Sequence, residues 1–486
     1  MSDNLKSKMI GAVTWTSIDR FGQQAVQFVV GIILARLISP SDYGLIAMIM
    51  IFITLSTLLV DSGFGQALVR KQDADETDFN SIFYFNVAVS LVLYIILYFS
   101  APLIANYFDE PQLVKITRVV FIVILFNALY LIPINKLLHN LDFKGSAIIN
   151  IISVACSGIV SLILAFNHFG VWALVFQQLL FHFFRMIGLN IYTKWKPKAV
   201  FSFRVIKELG SFSVHLLGTY ILNAVFNYIY IIIIGKTYSK YEAGLYNQAN
   251  KLNETTNSTF QSILVSSTYS LLVKIQNEDE RFRRVFRGIS SKISLVTFPF
   301  MLMLFSIAHA LIFVLYSNVW IKSVPYFQLL TLSVIFMPLY GLNINALNAR
   351  GKSKTTFRIE LVKKGLILIS IFICYHWGIL AMLAGYIVSN YISFGISMIY
   401  LKKDLNHFYK HQITDFFGCL AIGIVIVAVN VLLSFLIANN YVLLAVQVLA
   451  SAAVYLVCVR IFYQDDFYSA LKFVKGKWNS FIHRKI

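Results

Sequence analysis

Thr16, Arg20, Gln23 and Gln27 stand at i, i+4, i+7 and i+11, one stripe along a helix. His215, Thr219, Asn223 and Asn227 repeat that spacing two hundred residues later, so Gln23 falls on Asn223 and Gln27 on Asn227. Both stripes lie in long apolar runs, where amides turned toward lipid would go unsatisfied. They must face each other or a wet cavity, or else bond helix to helix in a dry interface. Arg20 precedes Arg36 by sixteen residues, roughly 24 Å along a helix rising 1.5 Å per residue. It can snorkel, pair with Asp19, or serve as a cavity cation beside Gln23 and Gln27. An arginine at this depth is costly and usually faces a bundle interior or water, and its planar fork suits a phosphate or pyrophosphate.

Three further places carry charge. The run from Asn247 to Gln261 is the most polar of the helical segments, and its Lys251 and Glu254 stand at i, i+3, open to an internal ion pair or to a substrate or proton site. Arg36 and Lys236 occupy matching rim positions and are candidates for gating. Asp61, ahead of Gly63 and Gly65, is a third such candidate or a turn cap. Catalytic patterns are poor. There is no phosphate-binding glycine loop and no cysteine pair at metal spacing, and His407 and His411 sit in a basic loop as a solvated face. The reading is of a non-enzyme with no cofactor and no metal.

The elements that must position these residues are membrane helices. The 486 residues are 58% hydrophobic and 13% charged, with a mean hydropathy of +0.73, whereas soluble chains are about a quarter charged. Apolar runs long enough to span recur at 11–35, 43–61, 81–103, 117–138, 147–166, 171–191, 211–235, 244–272, 289–315, 325–347, 361–376, 379–401, 416–438 and 442–462. With a cytoplasmic N-terminus, most of the 41 Lys and Arg fall on the inner side, including a block at 185–207. Only Arg36, Lys115, Arg118, Lys236, Lys240, Lys251 and Lys322 fall opposite. The +19 charge therefore follows the positive-inside rule and does not indicate nucleic acid; both termini are expected in the cytoplasm. Trp172, Trp320 and Trp377, and on the other side Trp15, Trp195 and Trp478, read as interfacial belts. Pro133, Pro299 and Pro338 predict kinks. Cys156, Cys374, Cys419 and Cys458 read as small packing residues.

The chain repeats itself. Ile32–Leu45 returns as Ile232–Leu245, with Ser39/Ser239, Gly44/Gly244 and Leu45/Leu245 identical, and 167–174 resembles 375–382. Six spans per half give a parallel repeat. The expected architecture is an all-α polytopic membrane protein of about 14 helices: a lobe at 1–195, a cytoplasmic linker at 196–210, a second lobe at 211–405, and a terminal pair with an amphipathic tail at 406–486. The two six-helix lobes would surround a central cavity.

LARLISPSDYGL, DSGFGQALVRK at 61–71, SAPLIANYFDEP at 100–111, FGVWAL at 169–174, GLYNQANKL at 244–252 and VWIKSVPYFQLL at 319–330 resemble the polysaccharide transporter family of lipid-linked oligosaccharide flippases. That family belongs to the multidrug/oligosaccharidyl-lipid/polysaccharide exporter superfamily. The resemblance covers the first twelve spans. It implies alternating access and transfer of an undecaprenyl-pyrophosphate-linked repeat unit across the bacterial cytoplasmic membrane, for O-antigen, exopolysaccharide or a similar surface glycan. Membrane lipids, a coupling ion (H+ or Na+) and glycan polymerase or assembly proteins are the implied partners. Arg20 stands where relatives often place a first-helix arginine, and Lys251 where a basic residue is common; Gln248 stands where many carry arginine. The other reading is a cation-coupled drug exporter of the same fold, which calls for an acidic cavity. A membrane glycan polymerase or ligase would need larger outer loops.

Overall fold

The computed structural model describes residues 3–71, 73–260, 266–405, 409–465 and 468, and among them every regular element is a helix. The chain divides into two compact units, Met1–Asn247 and Gln248–Ile486. This division falls within one helix, whereas the sequence repeat turns over in the basic loop near residue 200.

The first unit contains α1 (Asp3–Leu37), α2 (Pro40–Asp61), α3 (Phe64–Arg70), α4 (Glu76–Phe108), α5 (Leu113–Val120), α6 (Ile122–His139), α7 (Phe143–Phe166), α8 (Val171–Thr193) and α9 (Phe203–Thr237). Local chemistry sets the ends. The Ser39 hydroxyl accepts the Asp42 N–H at 3.2 Å, and Pro40 opens α2 where its missing N–H costs nothing. Ser62 and Gly63, both at positive φ, end α2. Asp75 and Asp78 form a reciprocal capping box on α4. The connection before α9 is strapped to α4. Asn80 accepts the Lys198 N–H at 2.7 Å, Ser81 accepts the Ser202 N–H at 2.8 Å, and Trp195 packs edge-on to Phe83. Val205, Ile206 and Leu209 then bury against Phe64, Leu68 and Ile82, so α9 begins inside the core of this unit.

The helix α10 (Lys240–Phe260) crosses from one unit to the other. The second unit continues with α11 (Ser266–Lys274), α12 (Asp279–Tyr316), α13 (Val324–Ser333), α14 (Met337–Ala349), α15 (Ser353–Cys374), α16 (Ile379–Leu405), α17 (Tyr409–Leu436) and α18 (Asn440–Phe462). Its core is rich in aromatic residues, with Phe282, Phe286 and Phe298 fully buried. Asn430 on α17 donates to Ser306 at 2.8 Å and to Ser451 at 2.9 Å, fastening the terminal pair to α12. Such amides replace the hydrophobic drive that lipid cannot supply.

Among the described residues, eleven helical stretches are long and apolar enough to cross a membrane. The expected helices α1, α10 and α15 fall outside that number. Each carries its own polar load: Arg20, Gln23, Gln24 and Gln27 on α1, an amide-rich run on α10, and Arg358, Glu360, Lys363 and Lys364 on α15. Two expected spans are broken helices, at Phe121 between α5 and α6 and at 334–336 between α13 and α14, where Pro338 starts the second piece. Trp320, read as an interfacial residue, is fully buried beside Tyr316. The amphipathic tail beyond Tyr468, with Trp478, and the side chains of His407 and His411 lie outside the described residues.

Candidate functional site

The helix α1 is held against α7 by small residues on both sides. A Cβ on Gly22 would come within 2.7 Å of Ile151, and one on Gly158 within 2.8 Å of Val30. On the same face Asp19 accepts hydrogen bonds from Asn150 at 3.1 Å and from Gln23 at 2.6 Å. The sequence stripe therefore divides. Gln23 turns toward Asp19, while Thr16, Arg20 and Gln27 are exposed. Asp19 is not the partner of Arg20: among the described residues Arg20 makes no ion pair or side-chain hydrogen bond, and neither does Gln27.

On α9 the aromatic hydroxyls face α2 and α3. Tyr220 accepts from Gln66 at 2.7 Å and Tyr228 from Thr54 at 3.2 Å, while Gly235 lets Met48 approach. Asn223 and Asn227 are exposed, as is Gln27, whereas Gln23, the counterpart of Asn223, is half-buried. The side chain of His215 lies outside the described residues.

On α10, Glu254 accepts from Asn250 at 2.9 Å. The i, i+3 pair with Lys251 does not form. Lys251 is exposed and has no ion-pair partner among the described residues. Asp61 acts as a cap, accepting the Gly65 N–H at 3.2 Å where α3 begins. Arg36 is exposed at the end of α1. Lys236 forms an ion pair with Asp109 at 2.7 Å and lies over the Tyr107 ring. Among the described residues no group of three His, Cys, Asp or Glu could hold a metal.

Sequence reasoning missed one cluster. Arg185, counted with the basic inner loop, lies well inside α8. Its guanidinium stacks over Tyr130 at 4.8 Å, and the Tyr130 hydroxyl also meets His182 Nδ1 at 2.9 Å and Asn127 Nδ2 at 2.8 Å. The available signal was the apolar continuation Met186-Ile187-Gly188-Leu189 beyond the arginine. The Asp19–Asn150 contact, joining residues 131 apart, had no signal in periodicity.

The architecture defines a class: a polytopic helical membrane protein with polar side chains set into its long helices. The model of the family described as "Polysaccharide biosynthesis protein" matches residues 33–325, and the chain belongs to that family. Among curated relatives, the teichuronic acid biosynthesis protein TuaB of Bacillus subtilis is 25% identical over 463 residues, covering 93% of this chain and 95% of the relative. The succinoglycan biosynthesis transport protein ExoT of Rhizobium meliloti is 24% identical over 321 residues, 66% of this chain and 65% of its own. Among solved structures, the lipid II flippase MurJ in an inward closed conformation superposes with a TM-score of 0.76 at 18% identity, covering 93% of this chain and 99% of MurJ. That likeness establishes the shared fold.

Proposed function

We propose that this chain is a flippase that carries polyprenyl-pyrophosphate-linked oligosaccharide, of the undecaprenyl type, from the inner to the outer leaflet of a bacterial cytoplasmic membrane. The observation that carries the reading is Arg20. It is an exposed arginine on α1, with no carboxylate partner among the described residues, on the same helix as exposed Gln27. An unpaired guanidinium turned toward hydrocarbon would be expensive, so it belongs in water, where its fork can take a phosphate. Lys251 supplies a second cation, and Gln27, Asn223 and Asn227 supply amides for the glycan. Fourteen spans, with α1, α10 and α15 as the polar three, would put both termini on one side, which the excess of Lys and Arg in the loops of that side makes the cytoplasm. Alternating access around these residues would move the head group while the lipid tail stays in the bilayer, with Arg36, Lys236 and Asp61 at the rims. A coupling ion, H+ or Na+, is a further part of the proposal.

The drug-exporter reading needs free acidic groups in the path. Here Asp19 is taken by Asn150 and Gln23, Asp61 caps α3, and Glu254 accepts from Asn250. Reconstitution of the full chain in vesicles holding a polyprenyl-pyrophosphate oligosaccharide tests the proposal, with outer-leaflet glycan measured by an added lectin. Wild type should transfer the glycan. Arg20→Ala should lower the initial rate about tenfold and Lys251→Ala somewhat less, as expected for lost charge-assisted contacts. Transfer at the wild-type rate by both variants would refute the site.

A further inference from the structure

The transport reading leaves one cation of the first unit unused. Arg185 lies eight residues before the end of α8, in a segment apolar enough to span a membrane. No carboxylate pairs with it among the described residues. What holds it is aromatic. The guanidinium carbon is 4.8 Å from the Tyr130 ring centroid and 5.9 Å from that of Phe181, and Nη1 reaches the Tyr130 hydroxyl at a long 3.4 Å. That hydroxyl is already engaged by Asn127 and His182. Nε is enclosed without a partner, while Nη2 has no partner and is not enclosed.

A leucine or methionine would fill this place without the cost of a desolvated charge. The arrangement instead holds the guanidinium close to two rings and leaves its Nη2 without a protein partner among the described residues, a donor available to an oxyanion. The depth is suggestive as well. Gly170, at the start of α8, lies against Asp42, so the beginning of α8 and the turn after α1 share one end of the unit. From that end Arg185 is fourteen residues along α8, roughly 21 Å, and Arg20 seventeen residues along α1, roughly 25 Å. By helix rise the two arginines, neither paired with a carboxylate among the described residues, stand within about 5 Å of one level of the same unit.

We infer that Arg185, oriented by Tyr130, Phe181 and His182, is a second phosphate-binding station of the first unit, distinct from Arg20. It would take the phosphate or pyrophosphate group of a lipid. The inference rests on the proposed transport reading for the identity of that lipid, but not for the existence of the site.

The test uses the full chain in phosphatidylcholine nanodiscs. Phenylglyoxal, which modifies free guanidinium groups, is applied to wild type with and without inorganic pyrophosphate, polyprenyl pyrophosphate or added phosphatidylglycerol, and Arg185 modification is read by mass spectrometry. The expected result is modification of Arg185 that pyrophosphate or polyprenyl pyrophosphate suppresses. Suppression by phosphatidylglycerol alone also supports a phosphate station and assigns it to a membrane headgroup. An Arg185 that is unreactive, or equally reactive in all four conditions, overturns the inference without requiring any variant to fold. In parallel, Arg185→Gln should weaken polyprenyl pyrophosphate binding about tenfold with Arg20 intact, and Arg185→Lys should recover part of the loss. Wild-type binding by Arg185→Gln would equally overturn it. If wild type moves no glycan between leaflets yet pyrophosphate protects Arg185, the station stands and the transport reading fails.

Discussion

The two repeated corners share their backbone and differ in their charges. In both, a serine hydroxyl accepts the N–H three residues on, Ser39 from Asp42 at 3.2 Å and Ser239 from Glu242 at 3.1 Å. In both, the glycine five residues after that serine is the point of closest approach. A Cβ on Gly44 would lie 1.8 Å from the Lys240 carbonyl oxygen, and one on Gly244 would lie 1.8 Å from the Pro40 carbonyl oxygen. The contact is reciprocal, residue for residue, as a two-fold axis between the starts of α2 and α10 requires. One charge is not reciprocal. Lys236 and Lys240 of the second corner bind Asp109 and Glu110, which follow α4. The position matching Lys240 in the first corner is Pro40, which has no charge to offer. Duplication thus preserved the small residues that let backbones touch, while the Lys240–Glu110 pair has no counterpart at Pro40.

Breaking the shared part should have the largest effect. Gly44→Ala puts a methyl group into a backbone carbonyl, which cannot rotate aside as a side chain can, so the helices must separate. Overpacking of this kind costs about 2 kcal/mol. Thermal unfolding of the purified protein should show a clear fall in midpoint for Gly44→Ala and a similar fall for Gly244→Ala. Because both methyl groups pry apart one contact, the double variant should lose less than the sum of the two. Full additivity would mean that the two glycines serve separate contacts and that the reciprocity has no energetic content.

The next effect tests the unshared part. Lys240 and Glu110 meet at 2.9 Å with side-chain exposures of 31% and 17%. Partial burial strengthens the pair, and removing one partner leaves the other poorly solvated. Lys240→Ala and Glu110→Ala should each lower stability by about 1 kcal/mol, with a coupling between them of about the same size in a double-mutant cycle. Pro40→Lys, the reverse exchange, should gain nothing, since the first corner loses a residue suited to the first helical turn.

How much of this was legible in advance depends on whether a feature is local. The corners were visible because Ser-x-x-acid followed by glycine is a short pattern with a mechanism, and it recurs at a fixed offset. Most helices followed from apolar length, and the family from short motifs between LARLISPSDYGL and VWIKSVPYFQLL, a stretch that the family match at 33–325 largely covers. Arg185 was misfiled because charge counting treats an arginine near the end of an apolar run as loop; α8 continues to Thr193. The stripe on α1 was read as one surface because its spacing is one surface. Only the packing of Gly22 and Val30 on α7 shows that Gln23 stands at its edge, within reach of Asp19. Asn150, which completes that contact, carries no marker in its own neighbourhood. Long-range partners of buried polar groups come from tertiary packing, and a single sequence does not list them.

The smallest effect is expected at the pair that looks strongest by distance. Lys236 and Asp109 meet at 2.7 Å, shorter than Lys240 and Glu110, yet their side chains are 39% and 77% exposed. A solvated ion pair loses in screening and side-chain ordering nearly what it gains in attraction. Lys236→Ala or Asp109→Ala should therefore change stability by only about 0.5 kcal/mol, and raising the salt toward about 1 M should erase the difference from wild type. The Tyr107 ring beneath Lys236 offers a discriminating variant. Tyr107→Leu removes the cation–π contact and keeps the ion pair, so it separates the two contributions. If Lys236→Ala proved as costly as Lys240→Ala, and salt did not reduce the loss, then water would be excluded from this pair too. The second corner would then be fastened by both of its lysines rather than by Lys240 alone.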